Sequence, residues 1–273
     1  MKRFMKPVKW VLLLFTSQVL AQEPVKFGVS PWTAPHLLQA WAKPVEEALE
    51  AQTGTAYQMA SSASLQQYLL DAVEGRFEIL QSPMHLGLYL IRHHDFKPVL
   101  FARAQLKMLV VTRQALSINY LAQLKGSSMA VTGRVSMSRL LAKEAIVNQL
   151  FDVHLIPERN HWKAMEALQQ ERVQSAVVVN YLYARLSPPL KKRLKVLYEF
   201  PITLDGLLLM PPSSNFKFRS RVAAGLKNFK PLKSSLLMGF EKITQPELNK
   251  WFVIMDTYVE SVNHYMSQKD FPK

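Results

Sequence analysis

The sequence predicts an α/β protein of two lobes, each a mainly parallel sheet flanked by helices, joined by two crossing strands. Three observations predict it. Short apolar runs alternate with helix-period runs, the pattern of parallel strands linked by crossover helices. The alternation occurs in two sets. Near-continuous apolar segments at 106–112 and 206–210 separate those sets and suit buried strands that cross between lobes. The expected division is a leader over 1–21, a first lobe from 22–105 with 206–273, and a second lobe from 106–205. With 273 residues, 49% of them apolar, the chain can fill two such cores.

Residues 25–30 read as a strand ending at Pro31-Trp32. Leu38, Trp41, Val45 and Leu49 then recur at helical spacing, and Gly54 stops that helix. A short strand over 56–60 precedes Ser64-x-x-Gln67, a capping box opening a helix through Leu65, Leu69 and Val73. Residues 77–80 are strand-like, 84–92 helical, and 98–101 strand again. After the first crossing segment, Leu121-x-x-Leu124-Lys-Gly126 makes one helical turn. The second set is strand 129–131, helix 138–151, strand 153–156, helix 161–170 and strand 176–179. Pro188-Pro189 and the basic run Lys191-Lys192-Arg193-x-Lys195 precede the return strand. Val222, Leu226 and Phe229 share a helix face. Thr244-x-x-Glu247 opens a last helix through Leu248, Phe252, Met255, Val259 and Val262.

The first residues carry an export address. Lys2, Arg3, Lys6 and Lys9 form a positive n-region, residues 10–15 start a short apolar core, and Val19-Leu20-Ala21 has the small-residue pattern of a cleavage site. The apolar run falls far short of the ~20 residues that span a bilayer. Removing the four cations takes the net charge from +14 to +10. Export makes nucleic acid an unsuitable partner for that charge, and a small anionic ligand or an acidic envelope surface fits better. The chain has no cysteine, which excludes disulfides, thiolate catalysis and cysteine zinc sites. The histidines lack close metal spacing, and no cofactor motif is present.

The segment Met129-Ala-Val-Thr-Gly-Arg-Val-Ser-Met-Ser138 runs from strand to helix through a hydroxyl-rich turn. A helix start attracts anions, and hydroxyls with an arginine add donors, so Thr132, Arg134, Ser136 and Ser138 are candidates for an oxyanion cradle. An ordinary Ser cap with an exposed arginine is the alternative. His161 opens a later helix and could donate to the same anion, or lie at the surface beside Trp162. Ser30, Trp32 and Ser61 follow strands one and two, at carboxyl ends where open sheets bind ligands. Ser214-x-x-Lys217 has the spacing of a nucleophile–lysine pair but lacks its companion motifs, and no other catalytic constellation is present. The chain is read as a binding protein, not an enzyme.

With these residues in view, the mature chain resembles bacterial periplasmic solute-binding proteins of type II fold, within them the phosphate, phosphite and phosphonate group serving ABC transporters. The resemblance runs over roughly 25–260. It rests on Val25-Lys-Phe-Gly-Val-Ser30 as opening strand, Arg76-Phe-Glu-Ile-Leu80 as third strand, and Leu121-x-x-Leu-Lys-Gly126 with Met-Ala-Val-Thr132 leading into lobe two. It implies that Thr132, Ser136 and Ser138 hold a phosphoryl group and that His161 assists. It implies that Asp205 lies near a position contacting a ligand amine, and that Gln81 and Ser82 stand where an aromatic contact is common. It implies a membrane permease as partner. A sensor of the same fold, regulating a membrane signalling protein such as a histidine kinase or cyclase, is the alternative.

Two outcomes are expected. Protein recovered from the periplasm should begin at or near Gln22, by N-terminal sequencing; an uncleaved form pelleting with membranes would show an anchor instead. Closure about the crossing segments should reduce the radius of gyration at saturating ligand, by small-angle scattering.

Overall fold

The computed structural model describes residues 23–149, 152–231 and 238–268. The expected leader over 1–21, and the last two residues of the helix expected over 138–151, lie outside the described residues. The first half of the chain runs β1 (Val25–Val29), α1 (Pro35–Thr53), β2 (Tyr57–Ala60), α2 (Leu65–Val73), β3 (Ile79–Pro83), α3 (Met84–His94), β4 (Lys97–Leu106) and β5 (Met108–Arg113). The second half runs β6 (Ser128–Thr132), α4 (Met137–Gln149), β7 (His154–Glu158), α5 (His161–Gln169), β8 (Ser175–Val179), α6 (Asn180–Ala184), α7 (Pro188–Lys192), β9 (Leu194–Glu199), β10 (Leu204–Met210), α8 (Phe216–Leu226), β11 (Gly239–Lys242) and α9 (Gln245–Ser267).

Two sheets result, in the orders β11-β4-β10-β3-β1-β2 and β7-β6-β8-β5-β9. Each is mixed. β1 pairs in parallel with β2 and β3, and β6 with β7 and β8. The strands that cross between sheets, and the edge strands β9 and β11, join antiparallel, while the other two edges, β2 and β7, are parallel. The crossing segment expected as one strand over 106–112 is two. β4 ends at Leu106 in the first sheet and β5 begins at Met108 in the second. Lys107 makes the corner, its N–H donating to the Asn180 side chain at 3.2 Å and its carbonyl accepting the Asn180 N–H at 2.8 Å. The chain returns to the first sheet between Glu199 and Leu204.

Other differences have local causes. β3 lies later than the expected 77–80, because Gln81, Ser82 and Pro83 find ladder partners in β10 while Phe77 packs under Gly28. β9 and β11, absent from the sequence reading, are a half-exposed strand that starts at the end of the basic run and a four-residue edge. Both capping boxes are half-formed. Ser64 and Thr244 accept the Gln67 and Glu247 N–H groups, but the Gln67 side chain turns to Asp71 and that of Glu247 to Arg103. Gly54 ends α1 in the left-handed conformation at φ 67°, as a C-terminal glycine should.

One apolar cluster covers the α2, α3 and α9 face of the first sheet and continues through the crossing strands into the second lobe; another joins α1 and α8 on the opposite face. Burying a leucine contributes ~1.5–3 kcal/mol, against ~0–1 for an exposed ion pair, so these clusters dominate the fold. Arg103 is the exception among the charges. From β4 it reaches Asp205 of β10 at 2.9 Å, Glu241 of β11 at 2.8 Å and Glu247 of α9 at 2.6 Å, and it lies over the Phe101 ring. Burial disfavours its charge, but the three carboxylates outweigh that and raise its pKa.

Removing one partner of such a half-buried network leaves carboxylates uncompensated. Arg103→Ala should cost about 3 kcal/mol in urea unfolding. Lys43→Ala, which breaks the exposed pair with Glu47, should change stability by less than about 1 kcal/mol.

Candidate ligand site

Three helices begin at one space between the two sheets. α3 leaves β3 at once, α4 leaves β6 through the turn 133–136, and α5 follows β7. Their first residues, Met84 and His85, Met137, and His161, line a cavity of about 80 Å³. Ser30, Trp32, Trp41 and Gln81 close it from the first sheet, Met108 and Val179 from the second, and Ala102, Leu204, Asp205 and Gly206 from the crossing strands. The wall is mostly apolar, and no lysine or arginine among the described residues lines it. Helix N-termini therefore supply its positive potential. Gly206 is required there, since a Cβ would stand 2.7 Å from the Ser82 carbonyl oxygen.

The hydroxyls expected to face a ligand are turned inward. Thr132, Ser136 and Ser138 are buried but do not line the cavity. Ser138 Oγ accepts the Thr132 N–H at 2.9 Å and lies 2.7 Å from Thr132 Oγ1 and 3.0 Å from Ser136 Oγ. Ser136 Oγ donates to the Thr132 carbonyl at 2.9 Å and accepts the Arg139 N–H, so it caps α4. At most one of the three hydroxyl protons remains for anything else. Arg134 is exposed, its guanidinium over the Tyr265 ring of α9 rather than towards the cavity.

The remaining expected residues divide. Ser30, Trp32, Gln81, His161 and Asp205 meet at the cavity. Trp32 packs edge-on against Tyr181 of α6, across the gap between lobes. Ser61 ties its own loop down by donating to the Val29 carbonyl at 2.7 Å, and Ser82 is fully buried; neither lines the cavity. Asp205 accepts from Arg103 and from the Ala104 N–H at 2.9 Å, so its charge is balanced within the protein.

Two contributors escaped the sequence reading, His85 and Trp41. His85 stands at the carboxyl end of a parallel strand, the placement that singled out Ser30, and that was the available signal. Trp41 read only as a helix-face apolar residue. His85 Nε2 donates to the Val135 carbonyl at 2.9 Å, joining the first lobe to the turn before α4. Burial lowers the pKa of His85 to about 4, the Val135 carbonyl offsetting only part of that. His161 is lowered to about 4 for the same reason, with the Val177 carbonyl as the partial offset. Both rings are neutral at pH 7.

A base with a lowered folded pKa binds its proton first in the unfolded chain. Stability from these two rings is therefore complete above about pH 6.5 and falls as the pH drops towards 4, by about 1.4 kcal/mol per pH unit for each ring. His85→Gln keeps a donor for Val135 and does not titrate. It should remove about half of this slope in chemical unfolding measured across that window.

A family model described as the periplasmic substrate-binding protein of phosphonate ABC transporters matches residues 27–247. No curated protein matches the chain by sequence. Among solved structures, PhnD1 of Prochlorococcus marinus in complex with methylphosphonate superposes with a TM-score of 0.75 at 10% identity, covering 88% of this chain and 98% of that one. A binding-protein component of an ABC phosphonate transporter from Pseudomonas aeruginosa gives 0.74 at 12%, covering 91% of each. The periplasmic VFT2 domain of BvgS from Bordetella pertussis gives 0.53 at 16%, covering 86% of this chain and 92% of that one. Those likenesses show the two-lobed fold, and the match over residues 27–247 shows that the chain belongs to the periplasmic substrate-binding proteins of phosphonate ABC transporters, a family that binds and does not catalyse.

Proposed function

We propose that this protein is an exported receptor that closes its two lobes over a small oxyanion, phosphate or a phosphonate, and presents it to an ABC permease. The observation that carries the reading is the convergence of the α3, α4 and α5 N-termini on one partly open cavity at strand carboxyl ends. Each helix start brings about half a positive charge, where no cationic side chain among the described residues intrudes. Membership of the family and the complex of PhnD1 with methylphosphonate support the same ligand class.

A second reading has its own support. His85, the Asn160 amide 3.4 Å from the Thr33 carbonyl, and the Tyr258 hydroxyl on Glu144 all link first-lobe to second-lobe elements through protein groups alone. With the hydroxyls of the 132–138 turn spent on one another, this suits a sensor whose closed form persists, and the VFT2 domain of BvgS shares the fold. An adjacent permease and ATPase gene supports transport; an adjacent kinase or cyclase gene supports sensing.

The test is a thermal-shift panel of phosphate, phosphite, phosphonates, sulfonates and carboxylates. A ligand at 100 times its dissociation constant should stabilise by about 2.7 kcal/mol. No stabilisation by any oxyanion would overturn the receptor reading.

A further inference from the structure

We propose that the cavity selects an oxyacid anion that still carries one proton, a ligand donating through its own hydroxyl to imidazole Nδ1 and accepting from the Trp41 indole. This rests on the oxyanion reading and names the protonation state that the site takes.

The argument is an inventory of hydrogen-bonding atoms. His85 and His161 line the cavity with 2% and 7% of their surfaces exposed. His85 Nε2 faces the Val135 carbonyl, which only accepts, so Nε2 bears the proton. The His161 ring has the Val177 carbonyl near it and no protein partner at Nδ1, so we place its proton on Nε2 as well. Both rings are neutral at pH 7. Each therefore holds a bare lone pair on Nδ1, buried and without a protein partner. Trp41 lines the same cavity, and its Nε1–H is a buried donor without a protein partner.

Two acceptors and one donor thus await a ligand. A fully deprotonated oxyanion brings only acceptors, which would meet the Nδ1 lone pairs with repulsion. A hydrogen phosphonate or dihydrogen phosphate brings a hydroxyl for an Nδ1 and oxygens for Trp41. Charge agrees with this. Asp205, the other titratable group among the described lining residues, is already balanced by Arg103, and no cation lines the wall to meet a second negative charge. Size agrees too, since about 80 Å³ is roughly half the ~150 Å³ that holds benzene, which suits a group of a few heavy atoms.

The probes are methylphosphonate and methanesulfonate, near-isosteric anions of which only the first carries a hydroxyl when singly charged. Titration calorimetry below the second ionisation of methylphosphonate should show it binding about a hundredfold more tightly. Above that ionisation, its affinity should fall about tenfold per pH unit as the protonated form is depleted. His85→Phe with His161→Phe keeps a planar ring at each place and removes both Nδ1 acceptors, where glutamine would restore an acceptor through its Oε1. In that variant the preference should shrink towards unity, with folding checked by circular dichroism. Sulfonate binding within about threefold of phosphonate in the wild-type protein overturns this proposal and leaves the oxyanion reading standing. Should neither anion, nor phosphate, nor phosphite bind, both readings fall together.

Discussion

Arg103 ties the geometry of the first lobe to the chemistry of the cavity. Its guanidinium gathers carboxylates from β10, β11 and α9 onto β4, the strand through which the chain leaves that lobe. It also holds Asp205, at the cavity edge, in a balanced pair. A carboxylate free to face the cavity would repel an anion or recruit an amine. With Arg103 and the Ala104 N–H on it, Asp205 has its charge balanced and ties the crossing strands together while it lines the cavity.

Among the described residues, the cavity draws its anion-directed potential from helix starts and not from cationic side chains. A guanidinium inside so apolar a wall would need a partner of its own, because burying an unpaired charge is costly. Helix starts carry no such requirement, since their N–H groups are fixed by the backbone. The same wall keeps His85 and His161 neutral, so they contribute lone pairs rather than charge. Selectivity then depends on which atoms carry protons, which is sharper than selection by charge alone, because a missing hydrogen bond leaves a buried group unsatisfied.

Closure rests on few polar bonds. The His85–Val135 link and the 3.4 Å Asn160–Thr33 contact join the lobes at the cavity, with Trp32 edge-on to Tyr181 beside them. A hydrogen bond nets about 0.5–1.5 kcal/mol in folding, so this set is within reach of a ligand's binding energy. The apolar continuity through the crossing strands is much larger, and it would hold the lobes together through the proposed opening of the cavity. Hinge motion about Lys107 and the segment between Glu199 and Leu204 fits that division of energies.

Residue order alone determined the two rounds of α/β alternation, the apolar crossing runs, the Ser64 and Thr244 caps and the stop at Gly54. Each is a local matter of burial period or backbone conformation, which neighbouring residues decide. Edge strands β9 and β11 escaped because they are short or half-exposed and leave little alternation to read. Local order also marked Ser30 and His161 by their places at strand and helix ends, while Gln81 was marked only through the family resemblance. Tertiary structure decided which way the polar groups turn. The hydroxyls of Thr132, Ser136 and Ser138 satisfy one another within their own turn, so they face inward. His85 and Trp41 became part of the cavity only when the second lobe supplied the Val135 carbonyl and the facing wall. A side chain's hydrogen bonds depend on which distant groups fold against it, and residue spacing records nothing of those groups.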